Sequence, residues 1–294
     1  MKFVSSLKGF SGCKIDLYSE NGNHFVRKIS ASLNYNNRLK RQMDKQQYFF
    51  DNLSSDKISA PKVLRSGVLN DLFYFDMEYI RGFNLVDHIY DVNFRELEGV
   101  AESLCNIINI MKKSVIEGGS FEFNKMEDKL GSLIYLFENK KSRLDINLLI
   151  ELKKLLSNIE KKDKIKSTFC HGDLTMENII FDKDTKKIFL IDFLDSFIDH
   201  YWMDITKLFQ DIEGKWYKFR NPDINLVNFF PKMEFVGDFI KKNILTNEEI
   251  YNKNHPLFLA LNFARILPYA QDNETEYLNE VIKENINKFK NSIY

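Results

Sequence analysis

Three side chains with oxygen donors stand near one another in the sequence. Asp173 and Asn178 lie within Cys170-His171-Gly172-Asp173-Leu174-Thr175-Met176-Glu177-Asn178-Ile179-Ile180, and Asp192 within Ile191-Asp192-Phe193. Between them, the β-prone runs Ile179-Ile180-Phe181 and Ile188-Phe189-Leu190-Ile191 flank polar Asp182-Lys183-Asp184-Thr185, the pattern of a hairpin. A hairpin here returns Asp192 toward Asn178. Phosphoryl transfer from ATP needs such a set: a carboxylate to orient a hydroxyl and accept its proton, and two oxygen ligands to hold magnesium against the phosphates. Asp173 suits the first role, Asn178 and Asp192 the others. As a set, the three are hard to explain as structural residues.

The elements around these residues follow from periodicity. Ile15 to Tyr18 and His24 to Ile29, joined by Glu20-Asn21-Gly22-Asn23, predict a β-hairpin, because Asn and Gly tolerate positive φ. A helix is predicted over 32–53, and strands over 60–64 and 72–77. Leu97, Val100, Ala101, Leu104, Ile108 and Met111 recur at three- and four-residue steps and predict a long amphipathic helix. Further helices are predicted over 124–139 and 147–162, and again from Trp202 to the end, with boundaries marked by Pro222, Pro231, Pro256 and Pro268. The expected architecture is α+β: a small antiparallel-sheet lobe over 1–80, then a larger helical lobe over 81–294 that carries the catalytic hairpin.

Composition narrows the class. The chain has 294 residues, 44% of them hydrophobic, enough for a sizeable core. Lys plus Arg and Asp plus Glu are 42 each, so no net basic field draws the protein to nucleic acid or an anionic membrane. No apolar run reaches the roughly 18–20 residues of a membrane span, and the start lacks the apolar stretch of a signal peptide, so a cytoplasmic location is expected. Cys13, Cys105 and Cys170 lack Cys-x-x-Cys spacing, which argues against disulfides or structural zinc.

His171-Gly172-Asp173-Leu174 with Asn178, followed by Ile191-Asp192-Phe193, resembles the aminoglycoside phosphotransferase and choline kinase family, over nearly the whole chain. The resemblance implies a two-lobed protein-kinase-like fold with ATP between the lobes. It also implies magnesium as cofactor and the hydroxyl of a small molecule as acceptor. Candidate acceptors are an amino sugar or aminoglycoside, choline or ethanolamine, or a sugar-type alcohol. Gly172 stands where many protein kinases carry arginine, and Thr175 where many carry lysine; both favour a small acceptor. By the same resemblance, Gly9, Ser11 and Gly12 belong to the phosphate-positioning loop and Lys28, rather than Arg27, to the strand that contacts the α- and β-phosphates. Met77 then stands behind the adenine, Glu78 and Ile80 offer their backbones to it, and Asp204 braces the catalytic loop.

Two departures stand out. No Glu occurs from Ser32 through Leu53 to pair with Lys28, leaving Gln42, Asp44, Gln46 and Gln47, and Phe193-Leu194 replaces the Phe-Gly of protein kinases. A catalytically silent nucleotide-binding module is therefore the principal alternative, and a protein kinase a weaker one. His171 reads as a loop residue fixing its neighbours. Asp195, Asp199, Trp202 and Arg265 are candidates for acceptor contact, although Trp202 with Trp216, Tyr217 and Phe219 also has the spacing of a core face, and Arg265 that of a snorkelling cation.

Overall fold

The structure is a computed structural model and describes residues 1–7, 12–138, 144–159, 165–219 and 224–293. Strands β1 (Lys2–Ser6), β2 (Lys14–Glu20) and β3 (Asn23–Ile29) precede helix α1 (Asn36–Asn52). Then come β4 (Ile58–Ser59), β5 (Val63–Leu69), β6 (Leu72–Glu78) and β7 (Phe83–Asn84), and helices α2 (Leu85–Asp91) and α3 (Phe94–Lys113). Strand β8 (Val115–Ser120), helices α4 (Asn124–Glu138) and α5 (Ile146–Ser157) and strand β9 (Lys166–Thr168) lead to the hairpin β10 (Ile179–Phe181) and β11 (Ile188–Leu190). The chain ends in α6 (Tyr201–Ile212), α7 (Leu226–Ile240), α8 (Glu249–Ala264) and α9 (Asp272–Ile293). These elements form two compact units, Met1–His88 with His171–Ser196, and Ile89–Cys170 with Phe197–Tyr294. The hairpin β10–β11 thus falls in the unit that contains the N-terminal sheet.

In the first unit, an antiparallel sheet runs β1-β2-β3-β6-β5. Asn21 and Gly22 at the β2–β3 turn both have positive φ, +52° and +82°, the geometry that matches a two-residue turn to strand twist. Helix α1 buries Leu39, Gln42, Gln46 and Phe49, residues three and four apart on one face. A second sheet, β4-β11-β10-β7, contains the hairpin in the register Ile179↔Leu190, Ile180↔Phe189, Phe181↔Ile188. Gly82 is required beside it: a Cβ there would stand 2.7 Å from Ile180 Cγ2.

The second unit is built on helices. Asn93 caps α3 in a reciprocal box with Glu96, and the helix buries its Leu97, Val100, Ala101, Leu104, Ile108 and Met111 face. Every residue of α6 is buried, so it runs through the core. Two expected boundaries are corrected: Pro231 lies inside α7 and Pro256 inside α8. Their rings deprive the carbonyls of Val227 and Asn252 of a helical partner, but both of those residues are exposed, so water can take the place of the missing N–H. Pro268 does sit at a boundary, in the turn of helix Leu267–Tyr269, whereas Pro222 lies outside the described residues.

Candidate active site

The segment from His171 to Asp195 belongs wholly to the first unit. Asn178 turns its Nδ2 back toward Asp173, donating to the Asp173 carbonyl at 2.8 Å and to its Oδ2 at 3.2 Å. The amide nitrogen is thereby used locally, and the carboxamide oxygen is the atom left to meet a ligand. The Ile191 N–H donates to the Asn178 carbonyl at 3.0 Å, so the hairpin closes directly beside Asp192. Asp173, Asn178 and Asp192 are each half-buried, within reach of a bound molecule.

His171 is fully buried and fixes this loop from below. Its Nε2 lies 2.8 Å from the Ile191 carbonyl, while its Nδ1 accepts from the Asp173 N–H at 3.3 Å. This pairing requires the neutral ring with its proton on Nε2. Burial keeps it neutral, lowering its pKa to about 4 against the pull of the Asp173 carboxylate. Gly172 has φ +89°, and a Cβ there would approach the Leu194 carbonyl oxygen to 2.6 Å. The Leu194 N–H in turn donates to the His171 carbonyl at 3.0 Å. A side chain at position 172 would therefore separate the two strands of the site.

Lys28, on β3, forms an ion pair with Asp192 Oδ1 and lies 3.4 Å from Gln42 Oε1 on α1. Burial alone would lower the Lys28 pKa, but the Asp192 carboxylate more than compensates and raises it, so the lysine stays charged. Arg27 points elsewhere, with Nε and Nη2 at 2.7 and 2.8 Å from the two oxygens of buried Asp76. Of the four side chains available to replace the missing glutamate, Gln42 reaches Lys28. Gln46 instead donates to the Pro61 carbonyl at 2.7 Å. Asp192 has φ +62°, an uncommon conformation for a residue with a side chain, held by the contacts on either side of it.

Toward the other end of β6, Met77 is half-buried, and the Glu78 N–H donates to the Lys62 carbonyl at 3.0 Å. Glu78, Tyr79, Ile80 and Arg81, with Phe189 of β11, border a cavity of about 580 Å³. Gly12 is described, with φ +74°, whereas Gly9 and Ser11 lie outside the described residues.

The acceptor candidates separate. Asp195 is held by Arg41, with Nε and Nη2 at 2.9 and 2.7 Å from Oδ2. In the second unit, Asp199 is half-buried, with its Oδ1 3.3 Å from the Cys170 thiol, and Arg265 lies over the Phe197 ring at 4.8 Å. Trp202 is core: it is buried, it stacks with Phe258, and its Nε1 donates to Glu248 Oε2 at 3.1 Å. Trp216 and Tyr217 are buried as well. Asp204 is wholly buried in the first turn of α6, a helix capped by His200, whose Nδ1 accepts from the Trp202 N–H at 3.2 Å.

Residues 16–224 match the sequence model of a family described as the phosphotransferase enzyme family, APH. The chain belongs to this family. No curated protein matches the sequence of this phosphotransferase. Solved structures similar to it include a thermostable mutant of aminoglycoside phosphotransferase APH(4)-Ia, in ternary complex with AMP-PNP and hygromycin B. That match has a TM-score of 0.65 at 12% identity and covers 97% of this chain and 93% of the other. A streptomycin–ATP–APH(2")-IIa ternary complex matches with a TM-score of 0.63 at 15% identity, over 98% and 93% of the two chains. The GDP complex of aminoglycoside 2'-phosphotransferase-IIIa matches with a TM-score of 0.62 at 15% identity, over 97% and 92%. The phosphotransferase therefore has the kinase-like fold, an antiparallel-sheet N-terminal region followed by a helical C-terminal one.

Among the described residues of the phosphotransferase, no group of three His, Cys, Asp or Glu side chains is arranged to hold a metal ion. Asn178 and Asp192 instead supply a carboxamide and a carboxylate oxygen. Such hard donors, few in number, fit magnesium, which takes one or two protein ligands and completes its shell with phosphate and water. No helix among the described residues is long and apolar enough to cross a membrane. Sequence reasoning missed Arg41 and Lys45, which reach Asp195 and the Leu194 carbonyl. Their spacing of four puts them on one helix face, but nothing in the sequence names the partner.

Proposed function

We propose that this phosphotransferase transfers the γ-phosphoryl group of magnesium-bound ATP to a hydroxyl of a small molecule. The observation that carries the reading is the joining of Asp173, Asn178 and Asp192 around a hairpin that also meets Lys28. In this reading Asp173 orients the acceptor hydroxyl and takes up its proton. Asn178 Oδ1 and the Asp192 carboxylate hold magnesium, which would supply charge neutralisation at the phosphates. Lys28 and the loop of Gly9, Ser11 and Gly12 orient the phosphates, and the segment Met77 to Ile80 receives the base in the adjoining cavity. His171 serves as a brace by fixing the Asp173 backbone.

The acceptor class is an amino sugar or aminoglycoside, choline or ethanolamine, or a sugar-type alcohol. Asp195, Asp199, Trp202 and Arg265 are the candidate acceptor contacts carried over from the sequence. Asp195 already has Arg41 for its charge, and Trp202 is enclosed.

The test is ATP consumption by the purified protein with magnesium against pooled aminoglycosides, amino alcohols and sugars. Turnover should depend on one pool and vanish in Asp173→Ala, a variant that still binds ATP. Full activity in Asp173→Ala would refute the assignment of the base. ATP binding without turnover in any pool would favour the silent module.

A further inference from the structure

The missing glutamate on α1 raises a physical question. A helix that carries the partner of the phosphate-orienting lysine must be fixed, and a Gln42–Lys28 contact of 3.4 Å between a neutral amide and an ammonium is a weak restraint. Lys28 is instead committed to Asp192. Yet α1 is not loosely attached to the segment after Asp192. Four residues on one side of the helix, Arg41, Gln42, Lys45 and Phe49, all reach toward Lys28 or the segment. Arg41 makes two hydrogen bonds to the Asp195 carboxylate through Nε and Nη2, at 2.9 and 2.7 Å. Lys45 Nζ donates to the Leu194 carbonyl at 3.0 Å. Phe49, fully buried, packs on Phe193 with ring centroids 5.5 Å apart, and Phe193 packs on the His171 ring at 4.3 Å.

Three consecutive residues, Phe193, Leu194 and Asp195, are thus each gripped by a different side chain of α1. They follow directly on Asp192, whose positive φ is a conformation that persists only where the flanking backbone is held. Leu194 is held from two directions, its carbonyl by Lys45 and its N–H by the His171 carbonyl.

We propose that Arg41 and Lys45 are positioning residues: they tie α1 to the Phe193–Asp195 segment and so aim Asp192, doing the work that an ion pair between the helix and Lys28 would otherwise do. The inference rests on the functional reading above, in which Asp192 holds magnesium. The pairs are partly exposed, so their effect lies in orientation rather than in overall stability. Arg41 supplies it best because its planar fork fixes direction as well as distance.

The experiment compares the full-length chain with Arg41→Ala, Lys45→Met and the charge swap Arg41→Asp/Asp195→Arg, each first checked for cooperative unfolding by circular dichroism. Two readouts are taken. The first is hydrogen exchange of the Leu194 amide without any nucleotide. Exchange should quicken about tenfold in each single variant and return toward the wild-type rate in the swap. Unchanged exchange in the single variants overturns the tether. The second is the factor by which magnesium strengthens AMP-PNP binding, measured by calorimetry. That factor should fall about tenfold in the single variants and recover in the swap. If exchange responds but the factor does not, the tether does not aim Asp192 and the proposal fails. If magnesium does not strengthen AMP-PNP binding even in the wild-type protein, the functional reading fails, and the aiming role falls with it.

Discussion

Gly172 shows how a single residue type sets the shape of this site. In the sequence its importance is the absence of an arginine. In the structure it is the absence of any side chain, because φ is +89° and the Leu194 carbonyl oxygen fills the space where a Cβ would stand. Gly172→Ala combines backbone strain with a clash against backbone that cannot rotate away, and should destabilise the protein by about 2–4 kcal/mol. Urea unfolding measures this, and a loss below about 0.5 kcal/mol would mean that the loop has another conformation open to it. Lys28 makes a separate case. Its charge is secured by Asp192, and if it orients phosphates then Lys28→Met should weaken AMP-PNP binding about tenfold or more, equal to about 1.4 kcal/mol. Calorimetry reads this directly, and wild-type affinity in the variant would remove Lys28 from the nucleotide site. The candidate set could be picked out at this scale because the proposed chemistry fixes residue type: Asp, Asn and Asp around a hairpin have few structural reasons to occur together. The Arg41–Asp195 contact was not legible, since a surface arginine and a surface aspartate 154 positions apart carry no mark of each other.

At the scale of elements, hydrophobic period revealed the long members, and tertiary context decided the short ones. The face of α3 could be read because it buries one side at a regular interval, and the β2–β3 hairpin because Asn21-Gly22 marks its turn. Strands β7, β8 and β9 could not, for Val115–Ser120 is exposed along most of its length and includes Gly118 and Gly119, so only its partner Lys166–Thr168 makes it a strand. Pro231 misled for a related reason: proline excludes a helix only where water or another group cannot serve the carbonyl it strands. The end of α2 offers an instance of a carbonyl group served from a distance. Lys232, beside that proline on α7, donates to the carbonyls of Ile89, Tyr90 and Val92 at 3.0, 2.6 and 2.6 Å. An ammonium at a helix C-terminus satisfies orphan acceptors and opposes the negative end of the dipole. Lys232→Met keeps the aliphatic stem and loses only the charge and its three bonds, so the urea midpoint should fall by an amount equal to about 1–2 kcal/mol. A midpoint unchanged by the variant would show that water serves these carbonyls equally well.

For the whole molecule, two buried histidines, one of them at the site, contribute to its response to acid. His171 and His200 lie in different units, one fixing the Asp173 loop and the other capping α6, and burial lowers their pKa values to about 4 and about 3. Each is neutral when folded and takes up a proton near pH 6.5 when unfolded. Between those values the unfolded chain binds more protons, so stability rises with pH, is complete above about 6.5 and declines as pH falls below it. At pH 5 each of these two histidines costs about 2 kcal/mol relative to pH 7, whereas a carboxylate held as low as Glu213, at about 2, costs only about 0.2 kcal/mol. The interval from pH 7 to pH 5 therefore isolates the histidines. Unfolding free energies from urea titration at these two pH values should differ by about 4 kcal/mol in the wild-type protein. In His171→Gln, which retains an amide to donate toward the Ile191 carbonyl, the difference should shrink by about half, whatever the variant's stability at pH 7. An equal drop in both proteins would mean that His171 takes up its proton without unfolding. The neutral ring would then not be what holds the Asp173 N–H, and the account of how this loop is fixed would have to change.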